Sequence, residues 1–193
     1  LQCASVCIDY MNDSILYLGT GDPNYYGSSY GIYKSTDAGA TWQASNATIG
    51  NRMALEIIMS PYDHNILIAA TNSGIWKTYN GGLTWTAKVA GGQFTDMQMK
   101  PAPGTQTLYA ATHDFFFKSE DLGENWVLIT NGTQPPVGNN GNGIRIATSA
   151  ADSNVVYFAM VKDEGTVYKS TDGGNSFTTV YHNPSQSLTG YDA

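Results

Sequence analysis

An eight-residue pattern occurs four times along the 193-residue chain and limits the fold more than any other feature. It reads Ser/Thr-x-Asp/Asn-x-Gly-x-Thr/Asn/Ser-Trp/Phe, and its copies span 35–42, 78–85, 119–126 and 170–177. The last residues of successive copies are 43, 41 and 51 residues apart. A period in this range indicates a repeat architecture with one supersecondary unit per repeat.

Each copy has the chemistry of a tight turn, and we call the copies boxes 1 to 4. The Asp or Asn at the third position can accept hydrogen bonds from N–H groups two or three residues on. The Gly at the fifth position permits a positive φ, and the closing aromatic ring is expected to pack on its own blade. We therefore interpret the boxes as structural. The acceptors are Asp37, Asn80, Asp121 and Asp172, and the anchors are Trp42, Trp85, Trp126 and Phe177.

The flanks of the boxes repeat as well and predict an all-β chain. Each repeat contains four short apolar runs separated by turn residues, which is typical of antiparallel strands. Four-stranded sheets repeated around an axis form a β-propeller. No segment has the 3.6-residue periodicity of a helix. The spacing predicts one propeller segment over 1–193 with blades at about 4–47, 53–90, 94–131 and 143–183.

The four boxes resemble the Asp-box (BNR) repeat of sialidases, sortilin-type receptors and family-74 glycoside hydrolases of the xyloglucanase type. The stretch Leu16–Asn24 followed by Tyr30–Asp37 is most similar to secreted bacterial proteins of the sortilin-like propeller group. The resemblance covers essentially the whole chain and implies the propeller fold. Propellers of these families have six or more blades, so it also implies further blades in a larger ring. A closed ring of four blades is the alternative.

The composition of the chain argues against two classes of function, nucleic-acid binding and membrane spanning. The net charge is −7 with nine basic residues, which argues against nucleic-acid binding because that requires a Lys/Arg footprint. No apolar stretch reaches the length of a membrane span. The chain is rich in Gly and Tyr and has 13% charged residues, which favours a secreted or cell-surface β-protein. No cofactor is expected.

Two cysteines and three glycosylation sequons carry no predicted function. Cys3 and Cys7 would lie about 13 Å apart on a straight strand, whereas a disulfide needs less than about 7 Å. Free thiols are therefore expected. The sequons begin at Asn12, Asn46 and Asn131, and about this number is expected by chance in a chain so rich in Asn, Ser and Thr.

A ligand site is predicted on the face that carries the loops joining strands two and three and the loops joining blades. This face holds the sites of the resembling families. Its longest loop within a blade, 21–30, combines one carboxylate with three tyrosines, which suits a carbohydrate; a self-packed surface loop is the alternative. The candidate ligand-binding residues are Asp22, Asn24, Tyr25, Tyr26, Tyr30, Arg52 and Arg145.

Metal binding is not predicted, because His64, His113 and His182 fall on different blades or faces and no carboxylates show ligand spacing. The run Phe115–Phe117 is interpreted as core packing, with two of the three rings buried.

Two function classes follow. The first is an extracellular propeller that binds carbohydrate, peptide or protein, or acts as a scaffold, within a longer polypeptide. The second is part of a family-74-like hydrolase, which would need two carboxylates across a cleft, partly supplied from outside this chain. Sialidases clamp their substrate with three arginines, and this chain has only two, Arg52 and Arg145. A sortilin-like peptide binder is compatible with the residues.

Overall fold

A computed structural model describes residues 2–22, 29–130, 144–160 and 165–182. Over these ranges the chain contains strands and turns and no helix. No helix there is long and apolar enough to cross a membrane. Asn24, Tyr25, Tyr26 and Asn131 lie outside the described residues.

Within the described ranges, sixteen strands form four separate four-stranded antiparallel sheets, as the repeat predicts. We call them blades 1 to 4, and in each blade the strands are adjacent in chain order. Blade 1 contains β1 (Cys3–Ile8), β2 (Leu16–Thr20), β3 (Ile32–Ser35) and β4 (Gln43–Ala44). Blade 2 contains β5 (Ala54–Met59), β6 (Leu67–Thr71), β7 (Gly74–Thr78) and β8 (Thr86–Ala90). Blade 3 contains β9 (Phe94–Met99), β10 (Leu108–Thr112), β11 (Phe116–Ser119) and β12 (Val127–Leu128). Blade 4 contains β13 (Ile144–Thr148), β14 (Val156–Met160), β15 (Val167–Ser170) and β16 (Thr178–Tyr181).

The chain divides into two compact units, Leu1–Phe94 and Thr95–Ala193, each of which holds two blades. That the whole chain forms one propeller segment stays a prediction.

Unit 1 buries a core between blades 1 and 2. Tyr17 and Ile32 of blade 1 pack with Ile57, Leu67 and Trp85 of blade 2. The central strand β6 is buried along its whole length, which explains its continuous apolar run in the sequence. Aliphatic side chains dominate this core, and burial of their surface stabilises the pair of blades.

Unit 2 is built on aromatic rings. The ring centroids of Phe116 in blade 3 and Phe177 in blade 4 are 4.8 Å apart, in an edge-to-face contact. Phe158 stacks on Tyr168 with 4.5 Å between ring centroids. Such pairs stabilise beyond their buried area, by about 0.5–1.5 kcal/mol.

The Phe115–Phe117 run corrects one prediction. Phe116 is buried, Phe115 is 37% exposed and Phe117 is half-buried. Strand alternation therefore buries one ring rather than two, because β11 begins at Phe116 and turns this central ring inward.

Candidate functional site

Described segments of the predicted ligand face come together in unit 1. The 21–30 loop is described at its two ends, and its second end is tied to the segment that joins the blades. The Ser29 hydroxyl donates to the Asn51 carbonyl at 2.5 Å. The Asn46 amide donates to the Tyr30 carbonyl at 3.2 Å and to the Asn51 side chain at 3.0 Å. The Tyr30 side chain is left 45% exposed.

Arg52 follows this segment directly and is held on three sides. Its guanidinium lies 4.5 Å from the centre of the Trp76 ring. The Nε group donates to the Ser73 hydroxyl at 2.5 Å, and Nη1 donates to the Ile49 carbonyl. A guanidinium has five N–H donors, so donors remain on a side chain that is already ordered. We call Tyr30, Arg52, Ser73 and Trp76 the loop cluster.

Trp76 adds an unused polar group to the loop cluster. Its indole N–H is buried and has no hydrogen-bond partner among the described residues. A buried donor without an acceptor costs free energy, and this N–H is enclosed by the protein. The groups of the loop cluster that can meet a sugar ring, with its apolar C–H faces and polar edges, are the exposed Tyr30 ring and the remaining N–H donors of Arg52.

The remaining candidates lie as follows. Asp22 is half-buried at the start of the loop. Arg145 belongs to unit 2, where it donates from Nη1 to the Thr95 carbonyl at 2.5 Å. Asp22 is the one carboxylate on the described parts of the unit 1 loop segments 21–31, 46–53, 72–74 and 88–93. Those segments therefore do not provide the pair of carboxylates that glycoside hydrolysis uses.

The box turns share one hydrogen-bond network. The third-position side chain accepts from the backbone N–H four residues on, at 2.8 to 3.0 Å in all four boxes, one residue further than expected from sequence. In box 4, Asp172 also accepts from the N–H of Asn175, three residues on as expected, at 3.0 Å. The carboxylates are also hydrogen-bonded by side chains, which holds down their pKa values. The hydroxyl of Ser176, followed by that of Ser170, lowers the pKa of Asp172 to about 2, against the opposing effect of desolvation.

The sequence reading missed two parts of this turn. The first-position hydroxyl donates to the Asp or Asn and accepts from the fifth-position Gly N–H, as Ser35 does at 2.8 and 2.9 Å. The fourth position also has a positive φ, even at Ala38 (57°) and Leu122 (56°). The Ser or Thr that opens every box was the available signal for the first part.

Two of the aromatic anchors contact the preceding blade, which the expectation of packing on the same blade did not include. The Trp85 indole donates to the Ser45 carbonyl of blade 1 at 2.8 Å. The Phe177 ring contacts Phe158 of its own blade, as expected, and also Phe116 of blade 3. Trp42 and Trp126 are only half-buried, and each donates to the Gly carbonyl of its own box, at 3.0 and 3.2 Å.

The structure gives the state of the two cysteines and the contacts of the Asn46 sequon. Both cysteines are free thiols, and burial raises the pKa of Cys7 to about 11. In the Asn46 sequon, the amide is engaged with the Tyr30 carbonyl, and the Thr48 hydroxyl donates to the Trp85 carbonyl at 2.7 Å. The Thr48 contact ties the segment that follows blade 1 to blade 2. Within the described ranges, no group of three or more His, Cys, Asp or Glu side chains is placed to hold a metal ion.

Comparison with known proteins identifies the fold. No family model matches the chain. It superposes on the crystal structure of an ancestral GH74 enzyme with a TM-score of 0.73 and 21% identity, over 91% of this chain and 23% of the other. The fold is therefore that of a β-propeller built from four-stranded antiparallel blades, as the sequence predicts.

Curated relatives point to the same group of proteins. The chain is 23% identical over 191 residues to the xyloglucanase Xgh74A of Acetivibrio thermocellus, covering 93% of this chain and 20% of the relative. It is 26% identical over 185 residues to a xyloglucanase of a Paenibacillus species, covering 91% and 15%. The chain is thus similar over most of its length to part of these GH74 xyloglucanases, and it spans a fifth or less of the length of the two relatives.

Proposed function

We propose that this chain is a polysaccharide-binding propeller segment of a larger extracellular protein. The observation that carries the proposal is the loop cluster of unit 1, where Arg52 is fixed over Trp76. The exposed Tyr30 lies on the segment that the Asn46 amide ties to Asn51, the residue before Arg52. Preorganised side chains lose little conformational entropy when a ligand binds. The xyloglucanase activity of the relatives supports a plant-type polysaccharide as the ligand.

The outer face of blade 1 supports the proposal that further blades adjoin it. Val6 and Ile8 on β1 are 61% and 57% exposed. Their counterparts by strand register in blade 2, Ile57 and Met59, are 3% and 9% exposed, because they pack on blade 1. The same face that is covered in blade 2 is open in blade 1, and another blade of the same polypeptide would cover it.

Binding to xyloglucan by the full-length protein tests the proposal. Arg52→Ala and Tyr30→Ala should each weaken binding by about tenfold or more in affinity electrophoresis or calorimetry, because each removes a preformed contact. Lys100→Ala, a matched loss of charge on unit 2, should leave the affinity unchanged. Because Arg52 also holds the Ile49 carbonyl, the exposed Tyr30 provides the variant that spares the core. Equal affinity in all three variants would refute the loop cluster as the site.

A hydrolase is the second candidate, and the similarity to xyloglucanases favours it. In that case Asp22 would act with a carboxylate outside this chain. Release of reducing ends from xyloglucan by the full-length protein, lost in Asp22→Asn with binding retained, would establish that role. Binding without release of reducing ends would leave the binding function alone.

A further inference from the structure

Two lysines occupy the same position in the two units, at the third residue of β3 and β11. In unit 2 the Lys118 ammonium is neutralised within the chain. It lies 2.7 Å from the Glu120 carboxylate and donates to the Asn175 side-chain carbonyl at 2.8 Å. Only 8% of the Lys118 side chain is exposed. The space beside this ammonium is therefore filled by a carboxylate from box 3 and an amide from box 4.

In unit 1 both of those partners are missing. Thr36 stands at the box position of Glu120, and Leu83 stands at the position of Asn175. Lys34 donates to the Gly81 carbonyl at 3.1 Å and lies 5.1 Å from the centre of the Tyr17 ring. Among the described residues, no carboxylate lies within ion-pair distance of its ammonium. A partly buried charge without a counter-ion is unfavourable.

Electrostatics around Lys34 agree with this geometry. Burial lowers the pKa of Lys34, and the charge of Asp9 only partly offsets that effect. Asp9 is itself paired with His64 at 2.7 Å. An anion placed next to Lys34 would therefore supply the interaction that Glu120 provides in unit 2.

The absence of the two partners leaves a groove between boxes 1 and 2. Its volume is about 280 Å³, and its lining includes Lys34, Thr36, Thr41, Gln43, Asn46 and Leu83. Ligand sites usually have about 300–1,000 Å³, so this groove suits a single small ring. Hydroxyl and amide groups line part of it, and Leu83, which is 71% exposed, provides an apolar wall.

We propose that this groove binds a uronic-acid sugar, with the sugar carboxylate on Lys34 in the place that Glu120 takes in unit 2. The Thr36 hydroxyl and the Gln43 amide are placed to meet ring hydroxyls, and Leu83 to cover a C–H face. The groove is lined by boxes 1 and 2 and by residues 43–47, and it contains none of the loop-cluster residues.

Calorimetry or ligand-observed NMR on the full-length protein tests the site, with methyl glucuronide as the probe at low salt. Lys34→Gln should weaken binding by about tenfold or more, since the charge-assisted contact is lost. Lys169→Gln changes the equivalent lysine of blade 4, which lies over Tyr157, and should leave the affinity unchanged. Methyl glucoside, which lacks the carboxylate, should bind at least tenfold more weakly to the unaltered protein.

A graft from unit 2 gives a variant that keeps the fold. Thr36→Glu combined with Leu83→Asn should recreate the closed arrangement, abolish glucuronide binding and leave the thermal unfolding temperature unchanged or higher. Failure of the unaltered protein to bind the glucuronide, or equal binding by Lys34→Gln, would overturn the proposal. Acetate binding as tightly as the glucuronide would overturn the sugar assignment, as would tighter binding of an acidic peptide.

Discussion

Units 1 and 2 join their blades through the same contact but surround it differently. In unit 1 the Tyr17 hydroxyl donates to the Gly81 carbonyl of box 2 at 3.1 Å. In unit 2 the Tyr109 hydroxyl donates to the Gly173 carbonyl of box 4 at 3.0 Å. Within each unit, the second box turn (box 2 or box 4) is therefore both the end of its own blade and a docking point for the preceding blade.

The surroundings of this contact have diverged. In unit 2 the contact lies beside a Lys118–Glu120 ion pair and an aromatic core. In unit 1 the core is largely aliphatic, and an open groove lies at Lys34. The turn is constant because the backbone needs it, while the side chains around it are free to change. A ligand is therefore more readily accommodated at the Lys34 groove of unit 1 than at the Lys118–Glu120 ion pair of unit 2.

The largest expected loss of stability comes from substituting the fifth-position glycines of boxes 2 and 4, which contact the preceding blade. A Cβ on Gly82 would lie 2.3 Å from the Ser45 hydroxyl, and one on Gly174 would lie 2.7 Å from the Tyr109 ring. Gly39 has a similar positive φ, but its nearest neighbour would be Trp42 at 3.7 Å. Gly82→Ala and Gly174→Ala should each cost on the order of 3 kcal/mol through backbone strain and overpacking, and Gly39→Ala about 1 kcal/mol.

Denaturant unfolding of the full-length protein would measure these three costs, with Gly39→Ala as the matched control. Equal costs for all three would show that backbone conformation alone matters and that the blades are not held by the box turns.

A smaller loss of unfolding free energy is expected on removing the hydroxyl of Tyr17 or Tyr109, and the two losses should differ. Tyr109→Phe leaves the Gly173 carbonyl without its hydroxyl donor and should cost about 1–1.5 kcal/mol. Tyr17→Phe should cost about 0.5 kcal/mol, because Lys34 also donates to the Gly81 carbonyl. Thermal unfolding of both variants, together with Tyr17→Phe in a Lys34→Gln background, measures the difference. A larger cost for Tyr17→Phe alone than for Tyr109→Phe would contradict the shared acceptor.

The smallest effect is an acid sensitivity of box 4 that box 2 lacks. The folded pKa of Asp172 is about 2, below the usual value for Asp near 3.9. The ionised form is therefore bound more strongly by the folded state, and its stabilisation is present above about pH 4 and is lost as the pH falls toward 2. After allowance for solvent screening of this exposed group, we expect a loss of about 0.3–0.5 kcal/mol in the free energy of unfolding.

Unfolding free energies between pH 2 and pH 5 would check this effect. Asp172→Asn should flatten the pH dependence, and Asn80→Asp in box 2 should steepen it. An unchanged slope in both variants would show that the box carboxylates are not coupled to folding.

The sequence by itself determined the repeat, the all-β class and the four strands of each blade. These follow from local chemistry: alternating apolar runs form strands, and the Ser/Thr, Asp/Asn and Gly of each box build a turn from neighbours in the chain. It also selected Tyr30 and Arg52 as candidate ligand contacts, because aromatic and cationic residues in a loop are informative without knowledge of their neighbours.

Only the tertiary structure decided which groups meet. That Trp76 lies under Arg52, that Trp85 reaches the Ser45 carbonyl and that Lys34 lacks the partners of Lys118 all depend on residues distant in sequence. Asn175 is 57 residues from Lys118, so their contact leaves no local pattern. Local rules set the elements, and the packing of one blade on the next sets the sites.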